Sequence, residues 1–126
     1  MMTGYFAKHG KMDGAISVSR TSPKFYSGPE YKALAPTYAM LKMPRDTYNQ
    51  AYKQILLKLN PQKVFDDLTA LANGAEPILL CWEKSNTWCH RRLVAEWLEL
   101  FLHIVITEVG LERSQVIAYK HLPEAK

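Results

Sequence analysis

The segment Pro77–Glu83 (PILLCWE) constrains the fold more than any other part of the chain. Ile78–Cys81 runs apolar without the polar alternation of a strand that shows one face to water. An unbroken apolar run of strand length reads as the covered, central strand of a parallel sheet. The residues before it read as a helix with signals at both ends. Asn60 suits the N-cap and Pro61 the first turn. Val64, Phe65, Leu68, Leu71 and Ala72 form an apolar stripe, and Asn73–Gly74 supplies a C-terminal stop. A capped helix feeding a buried strand is the rhythm of an α/β fold.

Other segments fit that rhythm. Ala15–Ser19 (AISVS) follows Gly14 and predicts a second strand, ending in the polar turn Arg20–Pro23 (RTSP). The aromatic stretch Gly4–Lys8 is a further strand candidate. Pro29–Lys42 has helical spacing at Tyr31, Leu34, Tyr38 and Leu41, and Pro36 divides it into two short pieces. Asp46–Leu59 predicts a helix with Tyr48, Ala51, Tyr52, Ile55, Leu56 and Leu59 on one face. His90–Leu102 predicts another, facing a core with Leu93, Val94, Trp97, Leu98, Phe101 and Leu102. His103–Thr107 and Val116–Tyr119 are strand candidates near the end of the chain. With 126 residues, 48% of them hydrophobic, there is material for one core. The expected fold is α/β, a single three-layer domain over residues 1–126 with a short, mostly parallel sheet flanked by helices.

Charge and cysteine usage narrow the setting. The net charge of +4 is compatible with nucleotides or nucleic acid without demanding either. Its densest cluster is His90–Arg92. Met1–Gly14 has no apolar signal core, and the longest apolar candidate, Leu98–Val109, is interrupted by Glu99, His103 and Glu108. With two cysteines in place of a disulfide framework, the expectation is a cytoplasmic domain with reduced cysteines and no membrane partner.

In parallel α/β sheets, ligands bind beyond the carboxyl ends of the strands. Two strand ends here carry polar residues, Ser19–Ser22 at the end of AISVS and Cys81–Arg91 after PILL. If the strands are neighbours, both ends open onto one rim. Strand alternation puts Cys81 and Glu83 on one face and Trp82 on the other. Asn86 or Thr87 can cap the next helix, which places Cys89 in its first turn. There, free N–H groups and the positive dipole end favour a thiolate or a bound anion. Cys89, His90 and Glu83 are therefore the catalytic candidates, with Arg20, Thr21, Cys81 and Arg91 as ligand-binding candidates. Arg91 would hold the anion from one side of the rim and Arg20 from the other, and Arg92 would face solvent. The bland alternatives are a buried Cys81 acting as a small hydrophobe and an Arg91 paired internally, with Glu83 as its partner. Phe25, Tyr26 and Trp88, in loops, are the candidates for stacking on bases.

Several chemistries fit poorly. A cysteine-phosphatase cradle needs a far shorter loop than the ten residues from Cys81 to Arg91. Zinc would draw on Cys81, Cys89 and His90, perhaps with Glu83, but the paired C-x2-C spacing of structural zinc is missing, so no metal is expected. No glycine-rich phosphate loop or dinucleotide fingerprint occurs, and no cofactor is indicated. The residues point to an anion or nucleotide-type ligand site, acting on a phosphorylated or nucleotide-like small molecule. The alternative is a non-enzymatic module that binds nucleic acid or protein.

Tyr5–Lys8 (YFAK), Ile16–Pro23 (ISVSRTSP), Tyr31–Thr37 (YKALAPT), Leu79–Lys84 (LLCWEK) and Cys89–Leu98 (CHRRLVAEWL) together resemble, in order, the family known as domain of unknown function 488. The resemblance implies a compact α/β domain with a polar signature of Cys81, Glu83, Cys89, His90 and Arg91, and implies no particular activity. The chain departs from the family in two places. Ser85–Trp88 replaces a glycine-rich sequence before the second cysteine, and the apolar Leu98–Ile106 replaces a polar ending. The second departure suggests a surface for self-association.

Overall fold

The computed structural model describes residues 1–83 and 89–110. Four strands form one sheet in the order β2-β3-β1-β4, with every pairing parallel. They are β1 (Met2–Tyr5), β2 (Ala15–Ser17), β3 (Ile78–Cys81) and β4 (Thr107–Glu108). The helices are α1 (Phe6–His9), α2 (Arg45–Leu57), α3 (Pro61–Leu71) and α4 (His90–Leu102). Two short 3₁₀ turns, Lys32–Leu34 and Ala39–Lys42, flank Pro36 as its ring requires. Among the described residues no helix is long and apolar enough to cross a membrane.

The apolar run Ile78–Cys81 is buried along its whole length because it has a strand on each side and cover on both faces. Alternation sends its side chains to two different cores. Leu79 and Ile16 join the larger one, built with α2, α3 and α4 through Tyr52, Leu56, Val64, Leu68, Leu93, Val94 and Leu98. Ile78, Leu80 and Ala15 face the smaller one, closed by Phe6 of α1 and by Tyr26. Among the described residues the three layers are thus unequal, with three long helices on one face and a single-turn helix plus a loop on the other.

Local chemistry explains the element ends. The Asn60 side chain accepts a hydrogen bond from the Lys63 amide at 3.0 Å, and Pro61 fills the first turn of α3. Asn73 and Gly74 take positive φ angles, 51° and 92°, as the chain leaves α3. Gly14 has φ of 87°, and a Cβ there would collide with the Glu76 carbonyl oxygen, so the start of β2 requires glycine. His103, with φ of 54°, ends α4, and residues 103–106 lead into β4 without forming the expected strand. The aromatic stretch also divides differently. Its strand is Met2–Tyr5, and Phe6–His9 is helical. Val116–Tyr119, Asn86, Thr87 and Trp88 lie outside the described residues.

The first turn of α4 contains a buried polar network. Arg91 is fully buried and donates to Glu108 from Nε at 3.1 Å and from Nη2 at 2.8 Å. Thr3 Oγ1 donates to the same carboxylate and accepts from Arg92 Nη1 at 2.8 Å. Arg92 Nη2 donates to the Ile106 carbonyl at 2.9 Å. Arg92, expected to face solvent, is therefore buried, because two acceptors beneath α4 satisfy it. Burial alone would push the Glu108 carboxyl up, but the hydrogen bonds and charge of Arg91, with Thr3 and Arg92, outweigh it and hold the group below the ordinary range.

Three substitutions test this packing. Asn60→Ala should cost about 1 kcal/mol in urea denaturation, the usual effect of losing an N-cap acceptor. Arg91→Ala should cost about 3–5 kcal/mol, because it strands a buried carboxylate. Since the folded pKa of Glu108 is depressed, its contribution is present above the unfolded carboxyl pKa and disappears as pH falls through the folded value. Glu108→Gln should therefore flatten the acid limb of a stability-versus-pH curve, and an unchanged limb would place the acid sensitivity elsewhere.

Candidate functional site

The adjacency of β2 and β3 brings the two polar strand ends together. Beyond their carboxyl ends lies a cleft of about 240 Å³. Ser19, Arg20 and Thr21 form one wall, and Cys81, Trp82, Glu83, Cys89 and His90 form the other. Pro36, Leu41, Met43 and Tyr48 complete it. The shared rim expected from the sequence is present, and six of the seven candidate residues line it.

At the base, Cys81 ends β3 and Cys89 occupies the N-cap position of α4, one residue before the first turn. Both are almost fully buried, and their sulfurs are joined in a disulfide. Two expectations change here. The cysteines expected to be reduced are bonded, because the β3 end and the α4 start bring sequence positions eight apart into contact. Cys89 is also not an exposed, helix-activated thiol.

The imidazole of His90 lies against both sulfurs, with Nδ1 at 3.6 Å from Cys81 Sγ and 3.7 Å from Cys89 Sγ. Its Nε2 is 2.7 Å from the Val18 carbonyl oxygen. A carbonyl only accepts, so Nε2 carries the proton and Nδ1 presents a lone pair to the sulfurs. Val18 itself is held in place by pairing with β3, its amide donating to the Leu80 carbonyl at 3.1 Å. Burial is the main reason that His90 is driven down to about 4; the Val18 hydrogen bond opposes this and the Arg91 charge adds to it. The imidazole is therefore neutral near pH 7.

The upper cleft is polar and open. Arg20 is half-buried, donates from Nε to the Pro36 carbonyl at 2.8 Å, and has its guanidinium carbon 5.5 Å from the centre of the Tyr38 ring. Thr21 is exposed, and its carbonyl accepts from the Trp82 indole at 2.8 Å, linking the two loops. Glu83 is exposed. Tyr48 is buried, and its hydroxyl pKa is raised, first by burial and then by the nearby Glu83 charge.

Arg91 is the candidate that the structure removes from the rim. It points under α4 to Glu108, so it cannot close an anion site with Arg20, and its internal partner is not Glu83. Tyr26 is likewise withdrawn from stacking. It is buried, donates to the Pro29 or Ala15 carbonyl, and has its hydroxyl pushed up to about 12, mainly by burial. Phe25 is exposed, but the cleft lining does not include it.

Sequence reasoning missed Tyr48 and Glu108, whereas Ser19 belonged to the polar strand end that it named. Tyr48 was placed on a helix face without reference to the rim. Glu108 left a readable signal, a lone carboxylate within the apolar Ile104–Val109 stretch. Such a carboxylate needs a buried cation.

No curated protein and no solved structure matches the chain. A family model does match, over residues 12–101, and its description is DUF488-N3a, the active DUF488-N3 subclade. That span includes β2, β3, most of α4 and every residue that lines the cleft. With the match extending over well more than half its length, the chain belongs to the DUF488 family.

Proposed function

We propose that this domain binds a small, anionic, nucleotide-like ligand in the β2–β3 cleft and acts on it at the Cys81–Cys89–His90 group. The observation that carries the reading is the convergence of these three side chains at the base of a cleft whose upper walls hold Arg20 and Glu83. Arg20 supplies the anion contact that the sequence divided between two arginines. Its Nε is engaged by Pro36 and its ring contact with Tyr38 orients the planar head, which suits phosphate or carboxylate. Glu83 meets a hydroxyl or a base edge.

The cleft volume is below the usual range for drug-sized ligands, which favours a compact occupant such as a single nucleotide or sugar phosphate over a polymer. The description of the matched subclade as active agrees with a site that does chemistry.

Calorimetric titration with nucleoside monophosphates and sugar phosphates tests this reading. At least one compound should bind, and Arg20→Ala should weaken it roughly 10- to 100-fold, the value of a charge-assisted hydrogen bond of about 1.5–3 kcal/mol. The folded state should lose only about 1 kcal/mol with the Pro36 bond. Equal affinity in the wild type and Arg20→Ala, or binding confined to long single-stranded nucleic acid, would overturn the proposal.

A further inference from the structure

We infer that, once its disulfide is reduced, this chain holds a thiophilic divalent ion of the zinc class through Cys81, Cys89 and His90, with a fourth position open to the cleft. The donor atoms of the three residues lie within 4.8 Å of one another, and all three residues are buried. A tetrahedral ion with bonds of about 2.3 Å to sulfur and about 2.0–2.1 Å to nitrogen sets sulfur–nitrogen separations of roughly 3.5 Å. The observed values are 3.6 Å and 3.7 Å, so the imidazole already stands at coordination distance from both sulfurs. The Cα atoms of the two cysteines are 7.3 Å apart. That is wider than the ordinary disulfide range of about 4.4–6.8 Å, and it leaves room for an ion between separated sulfurs.

The second observation is the orientation of His90. Its Nε2–H is committed to the Val18 carbonyl, so the buried nitrogen facing the sulfurs is the bare acceptor. A backbone carbonyl that fixes the distal N–H is the usual outer support of a metal-bound histidine. In the disulfide neither sulfur carries a hydrogen, so neither can donate to Nδ1. An ion gives that lone pair a partner, which a buried acceptor otherwise lacks at some cost.

Two thiolates with one imidazole select zinc-like ions over magnesium or calcium. Three protein ligands with one open position is the pattern of a catalytic rather than a closed structural site. This accounts for a ligand set that lacks C-x2-C spacing. Glu83, two residues beyond Cys81, lines the cleft and is placed to hold a water or a ligand oxygen at the open position.

The chemistry balances with a small thiol as reductant. Two molecules of it deliver two electrons and two protons to the Cys81–Cys89 bond and leave as their own disulfide. The ion then displaces the two thiol protons to solvent. Ion binding stands independently of the small-ligand reading; only the use of the open position rests on it.

The test uses the full-length protein, reduced with excess small thiol and desalted anaerobically. Zinc alone is added, the protein is desalted again, and bound metal is measured by elemental mass spectrometry. Cobalt is then substituted for absorption spectroscopy. One equivalent of zinc should be retained. The cobalt form should show a thiolate-to-metal charge-transfer band, which falls to about half in Cys81→Ser because one thiolate remains of two. His90→Ala should lose metal while Glu83→Gln retains it, with circular dichroism used to confirm that each variant is folded. Failure of the reduced wild type to retain zinc, or a cobalt band unchanged in Cys81→Ser and Cys89→Ser, would overturn the inference. Neither readout involves the small ligand, so loss of the Arg20-dependent binding and loss of the metal site are told apart.

Discussion

The first turn of α4 places three consecutive polar side chains in the interior, and each reaches a different part of the sheet. His90 bonds to Val18 at the end of β2. Arg91 pairs with Glu108 on β4. Arg92 reaches Thr3 on β1 and the Ile106 carbonyl just before β4. One helical turn therefore ties the two edge strands and an inner strand to a single helix end. Burying cations is costly, and they are tolerated here because bidentate and charge-assisted bonds replace the lost water. Such bonds are directional. They define where α4 begins, whereas apolar packing of Leu93, Val94 and Leu98 would tolerate some sliding.

The placement of α4 has consequences for the cleft. Cys89, as N-cap, is brought against Cys81 at the end of β3, and His90 is locked with its acceptor nitrogen toward both sulfurs. The charge that makes His90–Arg92 look like an anion-binding cluster is spent inward. Among the described residues, what remains at the rim is one cation, Arg20, one carboxylate, Glu83, and a buried sulfur–imidazole group below them. The neutral state of His90 follows from burial, and the Val18 carbonyl decides which of its nitrogens carries the proton.

Much of the fold was legible because it depends on local periodicity. The covered strand Ile78–Cys81, the Asn60 cap, the break at Pro36 and the range of α4 are all visible in short windows of sequence. The polar strand ends were legible as well, because parallel α/β sheets place their ligand sites there, and the adjacency of β2 and β3 then joined them into one rim. Less regular segments were harder to read. Tyr5–Lys8 changes from strand to helix within it, and β4 has two residues. Such short pieces take their form from neighbours rather than from their own pattern.

The sequence by itself determined the longer elements, the two-sided cover of β3 and the polar strand ends that carry Arg20, Thr21, Cys81, Glu83, Cys89 and His90, while their meeting at one rim waited on the adjacency of β2 and β3. Periodicity, caps and parallel pairing are short-range or topological rules that a single chain displays. Only the tertiary structure decided the partner of each buried polar group. Glu108 and Thr3 meet Arg91 and Arg92 across 17 and 89 residues of chain. Val18 meets His90 across 72. Nothing in a local window marks such a pair, because each group is satisfied only when distant strands are already assembled in register. The same assembly turned Arg91 from an anion-site candidate into an internal counter-ion, and brought the two sulfurs and one imidazole to a common point.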